Sequence, residues 1–149
     1  MVGNLFERAV VSGETRTGLI GEHIACAAVL SMPGIMGAAM AQQDKIDLLA
    51  WDDAGYLRIQ VKSRNILPEA DGRTPCYHFN YGMGLTKKKA ERGAYDIIAS
   101  VAIDRRKVIF TALDCVGTVS KRIKARRFDD PDVEIDSWRN ALAVVRGDI

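Results

Sequence analysis

The chain has 149 residues, 48% of them hydrophobic and 27% charged, with a net charge of only +2. One core can be built from that much apolar material, so 1–149 reads as a single domain, and the near-neutral balance excludes a uniformly basic nucleic-acid protein. Cys26, Cys76 and Cys115 have neither zinc-ligand spacing nor the pattern of a disulfide framework, and the first residues lack a signal-peptide pattern, so a cytoplasmic, reducing location is expected.

In chain order, Thr17 can cap a first helix over 18–30, whose apolar residues Leu19, Ile20, Ile24 and Leu30 suit packing on a sheet and whose alanines allow close approach. Residues 34–41 read as a short strand of small side chains. Strands at 46–51 and 56–62 flank the turn Asp52-Asp53-Ala54-Gly55, a hairpin signal in which a bulge at Gly55 is plausible. Residues 65–75 form a loop and 76–81 a strand. Residues 85–93 make a short polar helix or loop, and 96–103 with 107–113 a second hairpin. Residues 116–128 read as partly helical. Asp136 can cap a last helix over 137–146, which puts Trp138, Leu142 and Val145 on one face, a candidate subunit interface. The sum is the α/β class, a mixed sheet of about five strands flanked by helices.

The first hairpin concentrates the chemistry. Folding about its turn sets Asp47 opposite Gln60, and directly opposed Cβ atoms lie roughly 4.5–5.5 Å apart. Alternation turns Tyr56, Arg58, Gln60 and Lys62 to one side, with Leu57, Ile59 and Val61 on the other. A carboxylate, an amide and an ammonium then share one face, the layout of a metal-dependent phosphodiesterase site. A lone Asp in an apolar strand is costly unless it is paired or binds a metal; a structural ion pair with Lys62 is the plainer alternative. Glu22 lies one turn into the apolar first helix, where an unpartnered carboxylate is disfavoured.

Taken together, Gly21-Glu22-His23-Ile24-Ala25, Asp47-Leu48-Leu49, Ile59-Gln60-Val61-Lys62-Ser63 and, more weakly, Tyr95-Asp96-Ile97-Ile98 resemble the PD-(D/E)XK nuclease superfamily. The likeness is to its archaeal-type Holliday-junction resolvases and its homing-endonuclease-like members with a Gln-x-Lys motif. Ile46 stands where the signature has Pro, and Gln60 where it has Asp or Glu. The resemblance implies a restriction-endonuclease-like fold and a Mg²⁺-dependent endodeoxyribonuclease, with Mn²⁺ as a substitute. Asp47, Gln60 and Glu22 would be metal ligands together with the Val61 carbonyl, and Lys62 would orient or deprotonate the attacking water. Because cutting two strands needs two sites, it also implies a homodimer or homotetramer. Junction resolution and site-specific duplex cleavage both stay open.

Charge is clustered although the sum is small. Ser63, Arg64 and the run Lys87-Lys88-Lys89 are the expected DNA contacts, and 105–107 and 121–127 are further basic stretches, each of which can equally be a solvated face. The rival function is a non-catalytic DNA-binding or assembly module on a degenerate nuclease fold. Loss of the Gln60 charge favours it, and retention of Glu22, Asp47 and Lys62 opposes it.

Overall fold

The computed structural model describes residues 13–43, 45–64, 74–82, 91 and 93–147. Helix α1 (Gly13–Leu30) leads into strands β1 (Gly37–Gln43), β2 (Ile46–Asp52) and β3 (Gly55–Arg64). Then come β4 (Cys76–Asn80), β5 (Ile97–Ala102), β6 (Lys107–Ala112), β7 (Ser120–Lys124) and helix α2 (Val133–Arg146). Five strands form one mixed sheet in the order β1-β2-β3-β5-β6, and β4 with β7 makes a separate two-stranded ribbon. Only β3 and β5 run parallel; the other described pairs are antiparallel.

The two sides of the sheet carry two cores. Leu48, Ala50, Leu57, Ile59 and Val61 meet Ala25 and Val29 of α1 and Trp138 and Ala141 of α2. Ile98, Ala102, Ile109 and Leu113 face the ribbon, whose Tyr77, Phe79 and Ile123 point inward with Tyr81, Tyr95 and Phe128. The layers are helices, sheet and ribbon.

Alternation governs β3, but the side bearing Gln60 is not a polar surface. Gln60 is 7% exposed, because the aromatic layer under the ribbon covers that part of the sheet. The hairpin register is the direct one, Asp52 pairing with Gly55 and Leu48 with Ile59, with no bulge shift. Gly55 adopts φ +126°, outside the range an L side chain takes readily.

Three expectations are corrected. The first helix begins at Gly13, so Thr17 lies inside it and is not its cap; nothing between Gly13 and Thr17 breaks a helix. Residues Ser120–Lys124, read as partly helical, are strand β7, since pairing with β4 overrides their weak local preference. Helix α2 begins at Val133, placing Asp136 in its first turn. Its apolar face is spent within the chain: Trp138 is buried and meets Phe110 edge-on at 5.0 Å between ring centroids.

Polar ties fix the ends of elements. Asp96 receives the Arg58 guanidinium (3.1 and 3.2 Å) and the Arg58 backbone N–H (2.7 Å), locking the start of β5 beside β3. Arg146 donates to Asp52 at 2.6 Å, holding the last turn of α2 to the first hairpin. The Tyr77 hydroxyl donates to Asp104 (2.6 Å) and accepts from Arg105, which ties the ribbon to the β5–β6 turn. Burial, then the Asp104 contact, pushes that phenol up to about 12.

Candidate active site

The β2–β3 ladder ends at Leu48 and Ile59, and the next residue of β2 replaces a backbone acceptor with a carboxylate. Asp47 Oδ2 accepts the Val61 backbone N–H at 2.7 Å and Gln60 Nε2 at 3.0 Å. The second bond turns Gln60 Oε1 the other way, where it is buried with no hydrogen-bond partner among the described residues. An orphaned buried carbonyl oxygen invites a cation or a water. In an extended strand a residue's N–H and C=O project to the same edge, so the Val61 carbonyl also faces the Asp47 side.

Glu22 arrives from α1. Its carboxyl lies in hydrogen-bonding contact with that of Asp47. Burial raises both carboxyls above their ordinary range, and for Glu22 the Asp47 charge and the shared hydrogen bond add to it. For Asp47 the Val61 N–H, the Lys62 charge and the Glu22 hydrogen bond pull the other way without winning. Two half-buried carboxyls facing each other cannot both be charged cheaply; they need a shared proton or a cation. Lys62, half-buried, is near enough for its charge to act on Asp47, and Ser100 is its neighbour across the parallel pairing.

Glu22 reaches Asp47 because of the residue before it. A Cβ on Gly21 would sit 1.7 Å from Ser63 Oγ and 2.7 Å from Ser63 Cβ, so the helix touches β3 there with no room for a side chain. Gly21→Ala is therefore expected to destabilise the fold despite alanine's better helix propensity, by about 1–3 kcal/mol as overpacking does. It should also lower any activity that depends on Glu22. Ser63→Gly should recover part of the loss, measured as a favourable coupling in a double-mutant cycle of melting temperatures; additive effects would mean that the two residues do not meet.

Of the residues expected from sequence, Glu22, Asp47, Gln60, Val61 and Lys62 come together. Ser63, expected at DNA, has its Oγ buried with no hydrogen-bond partner among the described residues and faces Gly21 instead of solvent. Arg64 is exposed at the end of β3. Lys87, Lys88 and Lys89 lie outside the described residues. Among the described residues, no group of three or more His, Cys, Asp or Glu converges, so a cation here would have two carboxylates plus the Gln60 and Val61 oxygens. Sequence reasoning missed the buried pair Tyr81 and Ser100, whose hydroxyls lie 2.7 Å apart beside the Lys62 strand. Its only signal was strand alternation, which puts Ser100 on the same side as Lys62 once β3 and β5 are paired.

A five-stranded mixed sheet with two described α-helices is a nuclease-like α/β fold. A solved structure of a bacterial homing endonuclease, I-Ssp6803I, matches it with a TM-score of 0.59 over 93% of this chain and 97% of that one, at 15% sequence identity. At that identity the likeness is one of fold. No family model and no curated protein matches the chain.

Proposed function

We propose that this protein is a metal-dependent DNA endonuclease of the PD-(D/E)XK kind, hydrolysing phosphodiester bonds with water as the nucleophile. The observation that carries the reading is the facing pair of half-buried carboxyls, Glu22 and Asp47, with the orphaned Gln60 oxygen and Lys62 beside them. The nuclease-like fold supports it, and so does its likeness to a homing endonuclease. Mg²⁺, or Mn²⁺ in its place, would be held by Asp47, Glu22, Gln60 Oε1 and the Val61 carbonyl. These are hard oxygen donors of the type Mg²⁺ prefers. Such an ion would polarise a phosphoryl oxygen and lower the pKa of a water.

The chain's own residues divide the rest of the work. The Val61 N–H and Gln60 amide hold the Asp47 carboxylate in one orientation. Lys62 sets a positive charge on the same side, where it would orient the attacking water and stabilise charge building on the phosphate. The partner would be DNA, branched or a specific duplex site, and cutting both strands calls for a homodimer or homotetramer. No helix of the described residues is long and apolar enough to cross a membrane.

The direct test incubates supercoiled plasmid and a four-way junction with the protein in Mg²⁺, Mn²⁺ or EDTA. Cutting is expected with either metal and not in EDTA. One observation favours the rival: Gln60 Nε2 already occupies Asp47 Oδ2, an oxygen a metal would want. DNA binding with no cutting in either metal would establish the non-catalytic module instead.

Gln60 separates the two further. If its oxygen is a ligand, Gln60→Glu is expected to tighten Mg²⁺ binding by restoring a charge and to keep activity, while Gln60→Ala weakens metal binding. Calorimetry showing unchanged metal affinity in both variants would place Gln60 outside the coordination sphere.

A further inference from the structure

The ribbon covering the second face of the sheet has an outer surface that neither core nor candidate site uses. In the β4–β7 register Cys76 pairs with Lys124, His78 with Arg122 and Asn80 with Ser120, while Tyr77, Phe79 and Ile123 alternate inward and are buried. His78, Asn80, Ser120, Arg122 and Lys124 are exposed, as are Arg126 and Arg127 just beyond β7. Neither strand of the ribbon contains an acidic residue. A solvated surface strand has no need of such a one-signed face, and a polyanion complements it.

Its shape narrows the choice of polyanion. Two strands lie about 4.8 Å apart, and with their side chains they match the B-form major groove, about 12 Å wide, which admits a two-stranded ribbon. The ribbon is held firmly enough to present side chains, with three aromatic rings beneath it and Tyr77 tied to Asp104 and Arg105. It also leads toward the candidate centre. Tyr81 follows the Asn80 end of β4, and its hydroxyl bonds Ser100, the strand neighbour of Lys62.

We propose that the β4–β7 ribbon is the DNA-reading element of this protein, entering the major groove with His78 and Arg122 toward base edges and Lys124 and Arg126 toward flanking phosphates. The assignment rests on DNA being the substrate class, as argued above. Arg122 has the geometry for bidentate recognition of guanine O6 and N7, the commonest specific base contact. Arg127, whose charge is felt at the Tyr81 hydroxyl, would carry the basic track from the ribbon to the centre.

The test uses the full chain and a fluorescein-labelled random-sequence DNA duplex, with anisotropy followed through a salt titration in EDTA and again in Ca²⁺. Replacing Lys124 and Arg126 together by Ala, both exposed and so harmless to melting temperature, is expected to weaken binding and flatten the log–log salt slope by roughly two units. Arg122→Ala should bind the random duplex nearly as wild type does. In a selection from a random-sequence pool, however, it should lose roughly 10- to 100-fold discrimination at one base position. An RNA duplex of the same sequence should bind more weakly, because its deep, narrow major groove excludes side chains.

If the wild type binds DNA and the double variant binds identically with an unchanged slope, the ribbon assignment is wrong and the nuclease reading stands. Equal affinity for the RNA duplex, or an unchanged base preference in Arg122→Ala, overturns the groove assignment. If the wild type binds no DNA at all, the nuclease reading falls and takes the ribbon with it.

Discussion

Asp47→Asn is expected to abolish cleavage while the protein binds DNA at least as tightly as before, and to make the metal-free protein more resistant to heat. The first half follows from the loss of a negative metal ligand, and the second from the removal of a negative charge near the phosphate. The stability gain comes from relieving the like-charged pair: burial raises both Glu22 and Asp47, so the folded state holds their protons more tightly than the unfolded chain does. A carboxyl whose folded value is raised adds stability that is fully present below its unfolded value. That stability is lost as pH rises through the raised folded value. In EDTA, the wild-type melting temperature is therefore expected to lose this contribution as pH climbs out of the ordinary carboxylate range, and the Asn variant to be spared part of the loss. Added Mg²⁺ should raise the wild-type melting temperature more at neutral than at acid pH. Equal melting temperatures for the two proteins at neutral pH in EDTA would mean that the carboxyls do not feel each other. Undiminished cutting by the Asn variant would remove Asp47 from the chemistry.

Lys62→Ala is expected to reduce the cleavage rate by on the order of 10²- to 10³-fold, the usual cost of deleting one preorganised group that stabilises transition-state charge. Folding should survive, because Lys62 is half-buried near the end of β3 and the core on that strand is made by Leu57, Ile59 and Val61. Lys62→Arg should also be poor: a guanidinium is larger and effectively never gives up its proton. The measurement is single-turnover cleavage beside a melting curve. A well-folded Ala variant cutting at the wild-type rate would strip Lys62 of its role.

The Asp47–Gln60 juxtaposition was legible because both depend on short-range rules, a strand period of two and a turn whose residues set the register. Glu22 stood out for a related reason, a carboxylate within an apolar helical stretch. What the sequence concealed depends on partners far along the chain. Strand β7 has Ile123 as its one buried residue and becomes a strand only against β4. Gln60 looked solvent-facing because nothing local says that an aromatic ribbon covers its side of the sheet. Asp96 carried the faintest part of the motif resemblance and proves to be the anchor for Arg58. Gly21 was one small residue among several, and only the Ser63 hydroxyl pressed against it reveals why a glycine stands there.

The parallel pairing of β3 with β5 bears on how the chain is made. Glu22, Asp47, Gln60 and Lys62 all precede residue 65, so a growing polypeptide holds the whole candidate centre before β5 has left the ribosome. Until residues 97–102 emerge and pair, one long edge of β3 has no strand to bond. Exposed edges of this kind recruit other chains, and non-local parallel pairing is intrinsically slow. Synthesis at about 5–20 residues per second would leave that edge open for seconds. Fragments ending between β3 and β5 should accordingly aggregate on expression, whereas those extending past β6 have every strand of the main sheet available to close it.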